Sequence, residues 1–294
     1  MDIIKVTPQG FCKGVIRAIA IINKALENPN LKKPIYMLGG LVHNKHIINA
    51  YQNKGIIIIN ELGDIHEGTI IITAHGISKH VLEEIKKRNL DVINATCFDV
   101  LKTHHLITKK INEGYDIIYY GKYNHPETKG ILGIDPNIHL IENISDITKL
   151  NINNPKLAFT TQTTMGYLDV LEIIQELKSK FPHLETYEDV CNATKLRQEA
   201  LLNTNDVDLY IIVGDPTSNN TNKLKEICEK KYRKCVMIEN VNDLKNIDFK
   251  NVNRVAITAG ASTPPAIVNE IIHALESNDF TSNLKDEDYL NYRI

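Results

Sequence analysis

Three cysteines in this chain share one local pattern, in which a short apolar run leads to a cysteine and the cysteine leads into an amphipathic helix. They are Cys12, Cys97 and Cys191, and they are separated by 85 and 94 residues. Separations of this size match a small α/β unit and are too long for a solenoid repeat. The sequence therefore predicts three similar units, each with a cysteine at the point where a loop enters a helix.

The start of a helix is a favourable position for an anionic sulfur. Backbone N–H groups and the positive end of the helix dipole stabilise a thiolate there, together with any anionic cluster that it binds. Three such helix starts directed at one point would form a shared metal site. A single cysteine is more often a small buried apolar side chain, so this interpretation depends on the threefold repetition of the setting.

The chain contains five cysteines in 294 residues and no C-x-x-C motif. An odd number of cysteines in a chain of this length, without a signal peptide, argues against a disulfide framework. The missing motif argues against zinc-ribbon, thioredoxin and ferredoxin spacings. The remaining two cysteines, Cys228 and Cys235, lie on a helical apolar face and in a strand-like run, so we expect both in the core.

The composition excludes several functional classes. A formal net charge of −2 gives no overall basic field, so nucleic acid is not an expected partner. No apolar run approaches the roughly 18 to 20 residues of a membrane-spanning helix, and the N-terminus lacks the pattern of a signal peptide. We expect a soluble protein without membrane association, cytoplasmic in a bacterium or located in a plastid-type organelle if a targeting segment has been removed.

Apolar runs alternate with helical patterns along most of the chain. Continuous apolar strands between helices are typical of parallel sheets that are covered on both faces, so the predicted fold class is α/β. The predicted units span 13–97, 98–191 and 192–279, each with a small, mainly parallel sheet. Residues 1–12 and 280–294 flank them, and we expect both segments to pack on the third unit.

Polar loops follow six of the predicted strands, and in open parallel sheets ligands bind beyond the carboxyl ends of the strands. Histidine side chains, hydroxyl groups and helix N-termini together are typical of a phosphate or diphosphate site. Any one of these histidines alone could equally be structural. The predicted binding residues in these loops are His43, His75, His125, Thr163, Ser218, Asn219, Asn220 and Ser262.

Glu127 is the only carboxylate in the loops that carry those histidines. Desolvation and a nearby anion both raise the pKa of a carboxyl group, which makes Glu127 a candidate proton donor. The alternative is a helix-capping or ion-paired glutamate. Thr163, at a neighbouring strand end, could relay a proton or hold a substrate hydroxyl. Asp215 precedes Pro216 and is better interpreted as a turn residue.

Nine short motifs occur in order along nearly the whole chain. They are Gly10-Phe11-Cys12, Val42-His43-Asn44, Ala74-His75-Gly76, Ala95-Thr96-Cys97, His125-Pro126-Glu127, Thr161-Gln162-Thr163-Thr164, Arg197-Gln198-Glu199-Ala200, Ser218-Asn219-Asn220 and Thr258-Ala259-Gly260-Ala261-Ser262. With these motifs the sequence resembles the 4-hydroxy-3-methylbut-2-enyl diphosphate reductase family, which catalyses the last step of the methylerythritol phosphate route to isoprenoids. The resemblance implies three α/β units in a pseudo-threefold trefoil around a central cluster.

The resemblance also implies a set of roles. Cys12, Cys97 and Cys191 would hold three irons of a 4Fe-4S cluster and leave the fourth iron open to the substrate hydroxyl. The substrate would be an allylic diphosphate, reduced by two electrons and two protons to isopentenyl or dimethylallyl diphosphate. Glu127 would donate a proton together with Thr163. A ferredoxin or flavodoxin is the expected electron donor. The residues that would contact the substrate are His43, His75, His125, Thr163, Ser218, Asn219, Asn220 and Ser262.

Two alternatives stay open at this point. One is a hydro-lyase that uses a three-cysteine cluster without net electron transfer. The other is a binding protein built from α/β units, in which the cysteines are buried core residues and the loops hold a phosphorylated metabolite. A need for an external reductant separates the reductase from the hydro-lyase, and iron and sulfide content separates both from the binding protein.

Overall fold

The structure is a computed structural model that describes residues 1–232 and 234–292. In these residues the chain forms twelve strands and ten helices, with short 3₁₀ segments at Ile144–Lys149 and Val241–Asn246. The strands are β1 (Asp2–Lys5), β2 (Ile35–Leu38), β3 (Ile57–Ile59), β4 (Thr69–Ile72), β5 (Asp91–Asn94), β6 (Asp116–Tyr120), β7 (His139–Ile141), β8 (Leu157–Thr161), β9 (Glu185–Thr186), β10 (Leu209–Val213), β11 (Cys235–Ile238) and β12 (Arg254–Ala259).

Helices connect most of the strands, as the alternation in the sequence predicts. They are α1 (Lys13–Leu26), α2 (Lys45–Asn53), α3 (Lys79–Lys87), α4 (Phe98–Asn112), α5 (Pro126–Leu132), α6 (Tyr167–Lys180), α7 (Asn192–Leu202), α8 (Asn219–Lys231), α9 (Pro265–Ser277) and α10 (Asp286–Leu290). No helix in the described part of the chain has the length and apolar content needed to cross a membrane.

The strands form three sheets of four strands each, and every pairing is parallel. Sheet A has the order β1-β12-β10-β11, sheet B the order β3-β2-β4-β5, and sheet C the order β7-β6-β8-β9. The α/β class and the three small parallel sheets that the sequence predicts are therefore confirmed. The predicted boundaries of the three units stay a prediction.

The three sheets place corresponding segments at corresponding positions. In each sheet one edge strand precedes a cysteine: β1 before Cys12, β5 before Cys97 and β9 before Cys191. Each of the two central strands of a sheet is followed by one of the polar loops. The other edge strand is followed neither by one of the three cysteines nor by one of these loops. The recurrence of the cysteine setting in the sequence thus corresponds to a recurrence of sheet position.

The continuous apolar runs become strands that pack on both faces. In β6, Ile118 and Tyr120 face one core, which includes residues of α6, while Ile117 and Tyr119 face a second core, which includes residues of α4 and α5. Burial of one such side chain contributes roughly 1.5 to 3 kcal/mol. Because successive side chains of a strand alternate between faces, an apolar run without polar interruption requires cover on both sides.

The first compact unit comprises residues 1–24, 40–56 and the chain from Asn192 onward. It contains sheet A, in which β1 pairs with β12, and a core that includes Tyr210, Leu224 and the buried Cys228. The C-terminal helix α10 packs on α2 and α9. Residues 293 and 294 of the predicted flanking segment lie outside the described residues.

The second compact unit comprises residues 25–39 and 57–191 and contains sheets B and C. Helix α4 packs on β6 and α5 within this unit. Lys110 of α4 donates to Glu185 of β9 over 2.7 Å, and Tyr115 donates to the other oxygen of the same carboxylate over 2.5 Å. These contacts hold the two-residue strand β9 to the unit although it is short and polar.

A glycine is required where the loop after β10 passes Thr221. Gly214 has φ +153°, and a Cβ at this position would lie 2.6 Å from Thr221 Oγ1 and 2.7 Å from Thr263 Oγ1. We expect Gly214→Ala to lower the free energy of unfolding by about 2 to 4 kcal/mol, because backbone strain and overpacking both contribute. Urea unfolding measures the change.

Gly55→Ala is the matched control for this prediction. Gly55 has φ +85°, and no described atom lies within 4 Å of its would-be Cβ, so only backbone strain applies. We expect a loss of about 1 kcal/mol there. Equal losses in the two variants would contradict the packing argument.

Candidate active site

The backbone of each of the three cysteines is fixed by the same contact. The N–H of Cys12 donates to the carbonyl of Ala261 over 3.1 Å, that of Cys97 to Ala74 over 3.0 Å, and that of Cys191 to Thr163 over 3.0 Å. Each acceptor lies in the loop that follows the neighbouring strand of the same sheet. Each cysteine is therefore bonded to a loop that carries a predicted binding residue.

In sheet B this contact continues the ladder of the parallel strands, and in sheet C it keeps the register of the strands. Ala95 donates to Ile72, and two residues further Cys97 donates to Ala74, with the same offset between donor and acceptor. In sheet C, the pairs Tyr187 to Phe159 and Cys191 to Thr163 also share one offset, although the N–H of Asp189 between them donates to the carbonyl of Tyr187 in a local turn. The register of the sheet therefore sets the position of the cysteine backbone beyond the end of the strand.

The approach to Cys12 is less regular. The N–H of Val6 donates to the carbonyl of Ile257, and the N–H of Cys12 donates to the carbonyl of Ala261. The segment after β1 therefore advances six residues between these two contacts, while the segment at the end of β12 advances four. Gly10, with φ +71°, takes up part of the extra length. The buried Arg197 of α7 donates to the carbonyl of Gly10 over 2.6 Å and to that of Ala193 over 2.7 Å. A cationic side chain thus holds the irregular loop before Cys12.

All five cysteines are reduced, and Cys12, Cys97 and Cys191 are each partly exposed. Cys97 is the N-cap residue of α4, with φ −61° and ψ 141°, and its side chain makes no capping hydrogen bond. Cys228 is fully buried in α8, and a hydrogen bond with Cys235 raises its pKa, with burial acting in the same direction. Cys228 therefore lies in the core as expected, whereas Cys235 is partly exposed and packs against that core.

His75 and His125 lie together in the second unit, with ring centroids 5.3 Å apart and the rings edge to face. His125 is buried and is the N-cap residue of α5, where its Nδ1 accepts the N–H of Glu127 over 3.2 Å. Because Nδ1 acts as an acceptor, the ring proton of His125 lies on Nε2. The cap fixes the orientation of this ring.

Glu127 and Thr163 form a buried pair. Glu127 is 1% exposed; its Oε1 accepts the Thr163 N–H and its Oε2 is bonded to Thr163 Oγ1, both over 2.8 Å. Burial raises the pKa of Glu127 to about 7, and the charges of Asp189 and Asp99 act in the same direction. The bonds from Thr163 act against this rise, so burial outweighs hydrogen bonding and the carboxyl group holds its proton close to neutral pH.

Gln162 joins the two loops that carry this pair. Its side-chain oxygen accepts from Lys122 N over 3.0 Å and from Thr128 Oγ1 over 3.3 Å, and its Nε2 donates to Thr164 Oγ1 over 2.8 Å. The residue is fully buried. The loop after β6 and the loop after β8 are therefore held in one arrangement.

The hydroxyl and amide residues of the first unit are also interconnected. Ser218 is the N-cap residue of α8, and its Oγ accepts from Thr221 N and from Ser262 Oγ over 3.3 and 3.0 Å. Asn220 Oδ1 accepts from Ala261 N over 2.9 Å, and its Nδ2 donates to Thr194 over 3.0 Å. Ser218, Asn220 and Ser262 are buried, so the loops after β10 and β12 form one polar cluster.

His43 lies in the first unit, just before the N-cap residue of α2, Asn44. Burial lowers the pKa of His43, and the charge of Asp215 opposes this effect. Asp215 accepts from Thr217 N and Oγ1 and from Lys45 N, over 2.8, 2.6 and 3.0 Å. Asp215 therefore forms the turn expected from the sequence and also joins the loop after β10 to the start of α2.

Each unit contains polar groups of a type that binds small anions. The first unit has the start of α8 with two serine hydroxyls, and the second has two histidines beside a buried acid whose pKa is raised to about 7. A helix N-terminus and hydroxyl groups bind phosphate, and a neutral buried carboxyl group donates protons. These features are typical of an α/β enzyme that acts on a small anionic substrate.

The chain belongs to the LytB protein family, whose sequence profile matches residues 3–276. It is 45% identical over 295 residues to a 4-hydroxy-3-methylbut-2-enyl diphosphate reductase of Geobacillus kaustophilus, covering 95% of this chain and 91% of the relative.

Two solved structures have the same fold. The E-1-hydroxy-2-methyl-but-2-enyl-4-diphosphate reductase from Plasmodium falciparum superimposes with a TM-score of 0.89 at 37% identity, covering 97% of this chain and 91% of that one. A second structure superimposes with a TM-score of 0.68 at 32% identity, covering 94% of this chain and 100% of that one. It is that of (E)-4-hydroxy-3-methyl-but-2-enyl diphosphate reductase, the terminal enzyme of the non-mevalonate pathway. The family resemblance drawn from the sequence motifs is confirmed.

Three residues that hold the loops in place are not among the predicted site residues. Gln162, Thr194 and Arg197 each hold a loop next to a predicted site residue. Gln162 and Arg197 lie in recognised motifs, but their partners are 40 and 187 residues away in the chain. The sequence signal for such residues is a polar side chain next to an apolar strand or on a buried helix face. A polar group that is buried in this way requires a hydrogen-bond partner.

We expect Glu127→Gln to reduce the pH dependence of stability. The pKa of Glu127 is raised from 4.5 to about 7 on folding, so between these values the folded state binds more protons than the unfolded chain. The free energy of unfolding therefore falls as pH rises through this window. Glutamine can keep both contacts to Thr163, so the variant should be more stable than the native protein at about pH 8, by on the order of 2 to 3 kcal/mol.

The two proteins should differ little at about pH 5, where Glu127 is neutral in the folded state. Urea unfolding at the two pH values measures both differences. A variant that loses stability equally at both would show that the carboxyl group contributes through its contacts and not through its titration.

Proposed function

We propose that this chain reduces (E)-4-hydroxy-3-methylbut-2-enyl diphosphate to isopentenyl diphosphate and dimethylallyl diphosphate. Its curated relatives have this activity in their names. The observation that carries the proposal is the repeated backbone contact from Cys12, Cys97 and Cys191 to the loops with the predicted binding residues. This contact ties each predicted metal ligand to predicted substrate-binding groups.

The reaction is a reductive dehydroxylation. The allylic C–O bond breaks, two electrons and two protons are taken up, one proton leaves in water with the hydroxyl oxygen, and the other is added to carbon. Addition at one end of the allylic system gives isopentenyl diphosphate, and addition at the other gives dimethylallyl diphosphate. The protein must therefore hold the diphosphate, supply protons in a place without bulk water, and receive electrons.

Members of this family are iron-sulfur enzymes, and the cysteines of this chain fit such a group. Cys12, Cys97 and Cys191 are reduced and partly exposed, with backbones fixed by the sheets, and thiolates are the ligands that iron-sulfur clusters use. We assign these three cysteines as ligands of a 4Fe-4S cluster. When bound, the cluster supplies electrons one at a time and a Lewis-acidic iron without a protein ligand.

The diphosphate is assigned to the polar loops. Ser218, Asn219 and the N-terminus of α8 provide hydroxyl, amide and backbone donors, and Ser262 is bonded to Ser218 and adds a second hydroxyl. Asn220 is engaged with Ala261 and Thr194, so we assign it mainly to holding these loops in place. His43, His75 and His125 are assigned to the same anion or to the substrate hydroxyl.

Glu127 and Thr163 are assigned to proton delivery. With a pKa of about 7, Glu127 is protonated in a large fraction of molecules at neutral pH. When it is protonated, the 2.8 Å contact allows Oε2–H to donate to Thr163 Oγ1, which makes the threonine hydroxyl the next carrier of the proton. Thr163 then passes its own proton to the departing hydroxyl group.

Two electrons must come from outside the chain. A small one-electron carrier protein, a ferredoxin or a flavodoxin, is the donor that we propose. This requirement separates the proposal from the hydro-lyase alternative, which needs no reductant. The requirement for iron separates it from a metabolite-binding protein.

Anaerobically purified protein tests the proposal. We expect a brown protein with about four irons and four sulfides per chain, which converts the substrate to both products only when a reductant such as dithionite with methyl viologen is present. A colourless protein that binds the diphosphate would support the metabolite-binding alternative. Loss of water from the substrate without a reductant would support the hydro-lyase.

Paired cysteine variants provide the control. Cys191→Ala removes a proposed ligand and should lower the iron content severalfold, whereas Cys235→Ala, also partly exposed but next to Cys228, should keep it. Equal iron content in the two variants would remove Cys191 from the ligand set.

We expect Glu127→Gln to retain the iron content and the affinity for the substrate but to lose at least about a hundredfold in turnover, because general acid catalysis contributes roughly 10²- to 10⁴-fold. Product formation by the reduced protein and equilibrium binding of the substrate measure the two effects. Normal turnover in this variant would show that another group donates the proton.

A further inference from the structure

Asp189 lies in the second unit, between β9 and Cys191. It is 8% exposed, and a buried carboxylate is costly unless it is paired. Its Oδ2 accepts from Thr160 Oγ1 over 2.7 Å, and its Oδ1 accepts from Lys102 Nζ over 3.2 Å. One side chain therefore joins the segment before Cys191 to strand β8 and to helix α4.

The hydrogen bond to Thr160 connects Asp189 to the strand end that carries part of the proposed site. Thr160 lies three residues before Thr163, which is bonded to both oxygens of Glu127. Cys191, two residues beyond Asp189, donates its N–H to the carbonyl of Thr163. The segment 189–191 is thus attached to the end of β8 at two points, one through a side chain and one through the backbone.

We propose that Asp189 is a positioning residue of this site, which locks the segment of Cys191 onto the end of β8 and holds a carboxylate against the strand that leads to Thr163 and its partner Glu127. The inference deepens the proposed function and rests on it where it concerns iron. Lys102 compensates the charge only in part, because its side chain is 63% exposed and therefore well solvated.

The groups that face Glu127 show which charges can act on it. Asp189 and Asp99 are the acidic neighbours that raise its pKa, after burial. Tyr119 is fully buried on β6, with its hydroxyl beside Thr128 and Glu127. Burial and the charges of Glu127 and Asp189 raise the pKa of Tyr119, so it stays neutral. His125 accepts the backbone N–H of Glu127 and has its ring proton on Nε2.

Asp189→Asn tests the charge, because asparagine has the same shape and keeps an acceptor for Thr160. In the iron-loaded protein we expect the titration midpoint of Glu127 to fall by about one pH unit. Infrared spectroscopy of the protonated carboxyl band, identified by its absence in Glu127→Gln, gives this midpoint without any assay of activity. Turnover should fall up to about tenfold at pH about 8 and change little at pH about 6.

Asp99→Asn is the matched control. It removes the same charge from an exposed position in the first turn of α4, where solvent screens it. We expect a shift of the Glu127 midpoint no more than about a third as large. A shift from Asp189→Asn that does not exceed the shift from Asp99→Asn would overturn the role of the buried charge.

Asp189→Ala tests the positioning. We expect it to lower the iron content at least about twofold and to speed loss of iron to a chelator, while Asp189→Asn stays close to the native protein. Should the alanine variant not fold, Thr160→Val breaks the same hydrogen bond from the strand side. Native iron retention in Asp189→Ala, or in Thr160→Val where alanine does not fold, would overturn the positioning role.

Failure of the proposed function would look different from failure of this inference. A native protein without iron or without reductase activity would contradict the function. The dependence of the Glu127 midpoint on Asp189 could still be measured in that protein and would decide the role of the charge.

Discussion

The structure depends on backbone hydrogen bonds between neighbouring strands of a parallel sheet that recur past the ends of the strands. In sheets B and C, the bonds from Cys97 to Ala74 and from Cys191 to Thr163 keep the register of the preceding strands. The position of each cysteine backbone is then set by a sheet with a packed core on its faces, not by a loop alone. Protein interiors are close-packed and resist small shifts, so a position fixed in this way is held more precisely than one on an isolated loop.

Edge placement explains why the cysteines, and not the binding loops, follow β1, β5 and β9. An edge strand has a neighbour on one side only, so the residue after it is bonded to one adjacent loop and has no loop of its own sheet on the other side. A cysteine after a central strand would be enclosed by loops on both sides. Short edge strands of two to four residues also limit the unpaired backbone that could pair with another chain.

Much of this arrangement could be predicted from the sequence, and the limits have physical causes. Apolar runs mark central strands such as β6 because both of their faces are buried. The edge strand β9, Glu185–Thr186, is two polar residues long; it pairs with β8 and is bonded by Lys110 and Tyr115, which lie 70 or more positions earlier in the chain. Site residues with distinctive chemistry could be nominated, but whether the three cysteines share one cluster stays a prediction.

The same limit applies to the residues that set the proton affinity of Glu127. The sequence shows a carboxylate in a polar loop, which is usually ionised at neutral pH. Two hydrogen bonds from Thr163 would favour ionisation further, and only the near-complete burial of the side chain reverses the outcome. Burial arises from β6, β8 and α5 packing together, and the buried charge of Asp189 comes from a segment 62 residues further along the chain. The chemical role of Glu127 is therefore a property of the tertiary structure, although its identity as the acid can be proposed from its neighbours in the sequence.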